Sequence, residues 1–257
     1  MVAPMITAND IRACADYMME AGAPEPKEDV LFVTSCRGLP HFNYLKTWNE
    51  MNGTPWRLTI TLPYLWHHTP DNQPQDVEVS LAACRRNERI LGAIKRASIV
   101  IYEHHENYGM FNTAMSCGET LWPLTRKAGS PLPIKLPGWN NHFILAKDRP
   151  VEPLNAELLA LHGHHELNTF VRNCERTSFG DFAGWFLRHW RSRRLFWTHN
   201  HPTNLYTLEL FQRMNEKFLH LNLTADFWNA VRGMDLFQEN HTEVTDMDVD
   251  AYGIAWR

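Results

Sequence analysis

The stretch VLFVTSCRGLPHFNYL, residues 30–45, decides the fold. It opens with strand-forming residues, Val30 to Thr34, which are typical of a buried strand in a parallel sheet. Cys36 follows after Ser35, and Pro40 suits the first turn of a helix that we predict to extend to about Met51. This strand–turn–helix order predicts an α/β unit that holds Cys36 at the carboxyl end of its first strand.

The alternation of strand and helix continues outward from this stretch. Further strands are predicted at 56–63, 98–103 and 132–139, and helices at 8–21, 76–97 and 113–127. From about residue 152 the chain is mostly helical, interrupted by the apolar run Leu195 to Trp197. We therefore predict an α/β fold with a small parallel sheet of four or five strands flanked by helices, and a largely helical C-terminal part.

The same pattern divides the chain into three parts. Residues 1–29 form an N-terminal helix and linker, residues 30–150 the α/β core, and residues 151–257 a helical part that completes the same domain.

Composition excludes several classes of protein. The chain has 257 residues, 44% of them apolar, and a net charge of −4, which argues against a nucleic-acid partner. The N-terminus lacks a basic start followed by an apolar stretch, and no run approaches the roughly 20 residues of a membrane span. The five cysteines are odd in number and widely spaced, which favours reduced thiols. We expect a cytoplasmic protein.

Polar residues follow two of the predicted strands and the short apolar run Leu195 to Trp197, which we expect to end at the same edge of the sheet. Ligands of open parallel sheets bind at the carboxyl ends of the strands, near the point where the strand order reverses. The segments TSCRG (34–38), YEHHENYG (102–109) and WTHNHPT (197–203) are expected at that edge. These three loops are therefore the predicted site.

Cys36 and His201 are the candidate catalytic residues of these loops. A thiol at the start of a helix is stabilised as the thiolate by the free amide groups there, and Arg37 beside it acts in the same direction. His201 can serve as a general base. For each residue alone, a structural role remains open: a core thiol for Cys36, and a turn or helix-capping residue for His201.

The fourteen histidines also raise the possibility of a metal site. Several stand as adjacent pairs, and adjacent side chains point to different sides of a helix or strand. No HExxH or cysteine-paired pattern is present, so we predict no metal site.

Taken together, the order of these motifs resembles a known family. The turn Ser35-Cys36-Arg37 after the first strand and the late Asn200-His201-Pro202 resemble motifs of the WcbI-type capsular polysaccharide biosynthesis family of coenzyme A-dependent acetyltransferases, over roughly Val30 to Leu221. A more distant likeness is to SGNH/GDSL hydrolases, whose base lies in an Asp-x-x-His-Pro motif. Thr198 stands in place of that Asp, so a third catalytic residue is missing or comes from elsewhere.

The resemblance implies a cytoplasmic enzyme of SGNH- or Rossmann-like fold. It would transfer an acetyl group from coenzyme A, its acyl donor, to a carbohydrate hydroxyl in polysaccharide biosynthesis. Cys36 and His201 would be catalytic, and the remaining site residues fall into two groups. Arg37, Arg191, Arg194, Asn200 and Asn204 would bind the cofactor, while Glu103, His104 and Asn107 are candidates for the substrate or the oxyanion.

Several alternatives stay open. An acyl-cysteine intermediate and direct transfer, with His201 activating the acceptor, fit the residues equally well. An SGNH-type esterase and a binding protein with a degenerate site are the other two functions considered. The acceptor sugar, the length of the acyl chain and the oligomeric state are not determined by the sequence.

Overall fold

The computed structural model describes residues 4–14, 18–23, 25–34, 36–62, 88–103, 134–136, 156–175, 177–197, 201–238, 244 and 246–256. Its strands are β1 (Met18–Gly22), β2 (Glu28–Val33), β3 (Trp56–Thr61), β4 (Ile99–Glu103) and β5 (Ile134–Leu136). Its helices are α1 (Ala8–Arg12), α2 (Leu39–Asn52), α3 (Glu88–Arg96), α4 (Ala156–Glu175), α5 (Phe182–His189), α6 (Asn204–Met214), α7 (Ala225–Val231) and α8 (Asp246–Tyr252).

These elements belong to two compact units. Unit 1 comprises Met1–Leu136 and Leu221–Met234, and unit 2 comprises Pro137–His220 and Asp235–Arg257. The predicted division at residues 29 and 150 stays a prediction.

Unit 1 is built on a five-stranded sheet with the order β1-β3-β2-β4-β5. β2 runs parallel to β3 and to β4, and β4 runs parallel to β5. Asp29 and Arg57 lie directly opposite each other, and the Arg57 guanidinium donates to both Asp29 oxygens at 2.7 and 2.6 Å. This charged pair supports the register of β2 against β3. The predicted α/β class, a small sheet flanked by helices, is confirmed.

The prediction of a single helix over residues 8–21 is wrong in its second half. Thr7 and Asp10 form a capping box at the start of α1, but the helix ends at Arg12. Met18–Gly22 is instead an edge strand, antiparallel to β3. Gly22 ends this strand at a φ of 102°, and a Cβ there would lie 2.1 Å from the carbonyl oxygen of Trp56. The glycine therefore permits a close strand approach and does not cap a helix.

Helices cover both faces of this sheet. Phe42 of α2 contacts Phe32 of β2 edge to face, with 5.5 Å between the ring centroids. Arg96 of α3 pairs with Glu20 at 3.4 Å, and the strand register puts Glu20 on the face opposite Phe32. The sheet is thus sandwiched between α2 and α3, as a parallel sheet requires.

The helix α2 is buried on its outer side as well. The Trp48 indole donates to the carbonyl of Asn222 at 3.2 Å, and Thr47 contacts the sulfur of Met234 at 3.9 Å. These contacts hold the chain on either side of α7 against α2. The N-terminal segment also covers α2, where the buried Asn43 side chain accepts from the amide of Ile6 and donates to its carbonyl, both at 2.8 Å.

Unit 2 is largely helical in its described residues, where it contains α4, α5, α6 and α8. Its core is aromatic, with Phe170 against Phe186 at 4.4 Å and Phe182 against Tyr206 at 4.9 Å. These contacts join α4, α5 and α6 into one cluster. In the described part of the chain, no helix combines the length and apolar character of a membrane span.

Candidate functional site

The topology of unit 1 contains a switch point at its central strand. The chain leaves β2 for β3 on one side, whereas β4 and β5 lie on the other side. Such a reversal opens a crevice at the carboxyl ends of the two strands next to it, where ligands of this class of sheet bind. Val33 pairs with Tyr102 in that region, so the segment carrying Cys36 and the end of β4 at Glu103 flank the switch point.

Cys36 occupies the first position of a helical turn. Residues Cys36–Gly38 form a 3₁₀ turn that continues directly into α2, with Pro40 in its first turn. The Cys36 side chain is partly exposed. Amide groups at a helix start lack intrahelical acceptors, so they are available to a thiolate, an oxyanion or a phosphate. The predicted position of Cys36 at a strand-to-helix junction is confirmed.

Gly38 allows this turn to be tight. A Cβ at Gly38 would lie 2.2 Å from Thr34 Oγ1 and 2.5 Å from Thr34 Cγ2. Thr34 is itself 1% exposed, and its amide donates to the carbonyl of Thr61 at 3.1 Å. The end of β2 and the start of α2 are therefore packed so closely that only glycine fits between them.

Two basic side chains are buried in the same turn. Arg37 is 7% exposed, and His41, one helical turn later, is 2% exposed. His41 is not among the site residues predicted from the sequence. The signal that could have identified it is its position in CRGLPHF, directly after Pro40 in the first turn of a helix that follows a cysteine. Thr61 is fully buried at the end of β3, and its Oγ1 has no hydrogen-bond partner among the described residues. Polar groups thus concentrate at this edge of the sheet.

His201 lies in unit 2 on a short hairpin. The amide of Trp197 donates to the carbonyl of His201 at 2.8 Å, and that of Thr203 to the carbonyl of Leu195 at 2.9 Å. The imidazole of His201 stacks on the ring of Phe237, with 4.4 Å between centroids and 3° between planes. His201 is therefore held by its backbone and by its ring.

The expectation that Leu195–Trp197 is a strand of the sheet is wrong. Phe196 makes only an isolated antiparallel bridge with Pro202. The apolar character of this run comes instead from the aromatic core of unit 2, where Phe196 packs on Tyr206 at 4.8 Å.

The predicted arginines of unit 2 have distinct surroundings. Arg191 donates its Nε to the carbonyl of Tyr252 at 3.1 Å. The Arg194 guanidinium carbon lies 5.4 Å from the ring centre of Trp197 and 5.1 Å from that of Trp256. Burial lowers the pKa of Arg194, and its Nε has no acceptor among the described residues. A guanidinium held between two indoles can still bind an anion.

The remaining predicted residues are only partly placed. Asn204 begins α6 and is 8% exposed. Glu103 ends β4, whereas Asn200, His104 and Asn107 lie outside the described residues. The structure thus brings Cys36 and Arg37 together in unit 1, and Arg194, His201 and Asn204 along one segment of unit 2. That Cys36 and His201 act together stays a prediction.

A metal centre is not evident in the described part of the chain. No group of three or more His, Cys, Asp or Glu side chains there is arranged to hold an ion. The histidine pairs at positions 67–68 and 104–105 fall outside that part.

The three described cysteines are expected to react at different rates with iodoacetamide at neutral pH. Cys174 is fully buried, and burial raises the pKa of its thiol far above the usual range, so it should not react in the folded protein. Cys14 is partly exposed and donates to the carbonyl of Asp10 at 3.4 Å. Cys36 should react fastest because it begins a helical turn.

Peptide mass spectrometry of a time course measures these rates. The Cys36→Ser variant is the control, since it should lose the fastest phase alone. Faster labelling of Cys14 than of Cys36 would contradict an activated thiol.

Comparisons with known proteins give one distant likeness. No family model matches the chain, and no curated protein does. The solved structure of WcbI, a polysaccharide biosynthesis enzyme, is similar over 85% of this chain and 82% of WcbI, with 12% identity and a TM-score of 0.43. That structure is the native protein without a disulfide bond between coenzyme A and one of its cysteines.

Proposed function

We propose that this protein is a coenzyme A-dependent acyltransferase that moves an acetyl group to a carbohydrate hydroxyl in polysaccharide biosynthesis. The observation that carries the proposal is the position of Cys36. A partly exposed thiol begins a helical turn, directly after the central strand and beside the switch point of the sheet. Nucleophile and oxyanion donors then come from one short segment.

The proposed reaction through an acyl-cysteine has two steps. The Cys36 thiolate attacks the thioester carbon, the backbone amides of the turn stabilise the oxyanion, and the thiolate of coenzyme A leaves. The acceptor hydroxyl then attacks the acyl-cysteine while His201 takes its proton, which releases the ester and regenerates the Cys36 thiolate. His201 passes this proton to solvent or to the thiolate of coenzyme A and is again a free base. In direct transfer, His201 deprotonates the acceptor and the same amides stabilise a single tetrahedral intermediate.

Basic side chains supply the expected contacts for the phosphates of coenzyme A. In unit 2, residues 188–194 include four arginines, and the Nε of Arg194 has no acceptor among the described residues. In unit 1, Arg37 shares the turn of Cys36. Guanidinium groups bind phosphate oxygens through paired N–H donors, which favours Arg191 and Arg194 for a phosphate and Arg37 for a phosphate or the oxyanion.

Calorimetric titration tests the proposal. Coenzyme A and its acetyl ester should bind with micromolar affinity or better, about −8 kcal/mol or stronger, and should raise Tm. No binding at millimolar ligand would remove the transferase and leave the esterase and binding-protein alternatives.

Arginine variants locate the contacts. Arg194→Ala should weaken coenzyme A binding about 10-fold or more, since a charge-assisted hydrogen bond is lost. Arg193→Ala is the matched control, because Arg193 is exposed in the same segment. Arg37→Ala should weaken binding or turnover while the protein stays folded. If Arg37→Ala lowers only Tm, that residue has a structural role.

A further inference from the structure

One carboxylate, that of Asp235, accepts hydrogen bonds from both ends of the hairpin that carries His201. This residue is not among those predicted from the sequence. Trp197 lies on the first strand of the hairpin, and Asn204 follows the second strand as the first residue of α6. Both donate to Asp235. The Trp197 indole N–H lies 2.9 Å from each Asp235 oxygen, and the Asn204 amide lies 3.2 Å from Oδ2.

A carboxylate is chemically suited to this position. Two oxygens accept the Trp197 indole and the Asn204 amide at once, and Oδ1 also accepts the amide of Phe237 at 3.4 Å. Hydrogen bonds to an ionised acceptor are about twice as strong as neutral ones. The Asn204 amide is at the N-terminus of the 11-residue helix α6, where the helix dipole favours a negative charge. An amide in place of the carboxylate offers only one accepting oxygen.

The same segment also holds the imidazole ring. Phe237, two residues after Asp235 and 6% exposed, stacks on the His201 ring almost in parallel. Because the amide of Phe237 bonds to the Asp235 carboxylate, the ring that supports His201 is positioned by the carboxylate that fastens its hairpin. The Asp235 carboxylate thus supports both the backbone of the hairpin and, through Phe237, the imidazole ring of His201.

We propose that Asp235 is the positioning residue for His201, acting through the Trp197 indole, the Asn204 amide and the Phe237 ring. Its carboxylate sets where the hairpin lies, and Phe237 sets the plane of the imidazole. The contacts within unit 2 are sufficient to support this positioning role of Asp235. Its catalytic consequence rests on the proposed acyl transfer, in which a displaced base slows proton removal.

Proton NMR tests whether Asp235 positions His201, without any activity assay. In the parent protein, the ring current of Phe237 should shift the His201 ring C–H resonance upfield, and this resonance is assigned by its loss in His201→Gln. Phe237→Leu should remove the upfield shift. Asp235→Ala should move the same resonance toward its value in Phe237→Leu and should also shift the Trp197 indole N–H resonance. Asp235→Asn should give an intermediate position.

One control variant and one alternative variant complete the NMR test. Glu216→Gln removes an exposed carboxylate of unit 2 and should leave both resonances in place. If Asp235→Ala does not fold, Asp235→Asn and Trp197→Phe carry the test, the second because it removes the indole donor and keeps an aromatic ring. Unchanged His201 and Trp197 resonances in the folded Asp235 variants would overturn the proposal.

Kinetics then measure the catalytic consequence. Asp235→Asn should lower kcat with little change in KM, and Asp235→Ala should lower kcat by up to about 100-fold, the effect of a misplaced catalytic group. A parent protein without transferase activity would sink the proposed function while the NMR result still decides the role of Asp235. An active parent with normal kcat in both Asp235 variants would remove the catalytic consequence alone.

Discussion

Cys36→Ala and His201→Ala should each lower acyl transfer from acetyl-coenzyme A by about 100-fold or more, because one loses the nucleophile and the other the base. The double variant should lose little beyond the worse single variant, since groups that serve one reaction are not additive. Release of coenzyme A, followed with a thiol reagent in the presence of an acceptor glycan, measures the rate. Comparing this rate with that in water alone distinguishes a transferase from an esterase.

Cys36→Ser separates the two routes of transfer. A serine is a much weaker nucleophile without an activating base but keeps nearly the same size, so an acyl-cysteine route should collapse and direct transfer should persist. Mass spectrometry of the parent protein after brief exposure to acetyl-coenzyme A detects the acyl-enzyme of the first route. Normal turnover in both single alanine variants would return Cys36 and His201 to structural roles.

Gly38→Ala should lower the free energy of unfolding by about 1–3 kcal/mol or more, since it forces a methyl group into the buried side chain of Thr34. The added Cβ would meet Thr34 Oγ1 at 2.2 Å and Cγ2 at 2.5 Å. Urea unfolding followed by circular dichroism measures the loss. The turn carrying Cys36 should move with Gly38, so iodoacetamide labelling of Cys36 should also change.

Gly92→Ala is the matched control in the same unit. Gly92 lies inside α3, and a Cβ there would meet only the Arg96 guanidinium at 3.4 Å. This substitution should therefore stabilise the protein by about 0.5–1 kcal/mol. Thr34→Ala removes two of the three atoms that clash with the new methyl group, so it should recover part of the loss in a Gly38→Ala background. A Gly38→Ala protein as stable as its parent would show that the turn relaxes freely.

The sequence predicts the β2–α2 unit well because its signals are local. The apolar run before Cys36 and the proline that follows it are enough to predict a strand, a turn and the start of a helix. The strands predicted at 56–63 and 98–103 have the same kind of local signal, and the structure contains them as Trp56–Thr61 and Ile99–Glu103. These elements need no information from distant parts of the chain.

The errors have a different physical origin. Met18–Gly22 is a strand because Thr59 and its neighbours offer an antiparallel edge, and pairing across such an edge overrides local helix preference. Phe196 lies in an aromatic core rather than in the sheet, and an apolar run of three residues cannot distinguish these environments. Such choices depend on tertiary partners.

Cys36 and His201 are predicted as site residues from local sequence signals, and their roles stay predictions, whereas the contacts that position His201 have no such signal. Cys36 and His201 stand out because reactive side chains follow apolar runs. Asp235 lies 31 residues after Asn204 and carries no local motif that relates it to the hairpin. His41 is buried by tertiary packing, which no spacing rule for the first turn of a helix supplies.

The segment around α7, which covers the outer side of α2, affects the order in which the chain can fold during synthesis. Trp48 bonds to a carbonyl 174 residues later, and Thr47 contacts a sulfur 187 residues later. The strands of unit 1 emerge from the ribosome before residues 222–234, so their outer helix stays uncovered until those residues have been made. Contacts of such high sequence separation carry a large loop-closure entropy and form late. The nascent chain thus exposes apolar surface of α2 while the intervening residues are synthesised, when it is most exposed to aggregation and chaperone binding.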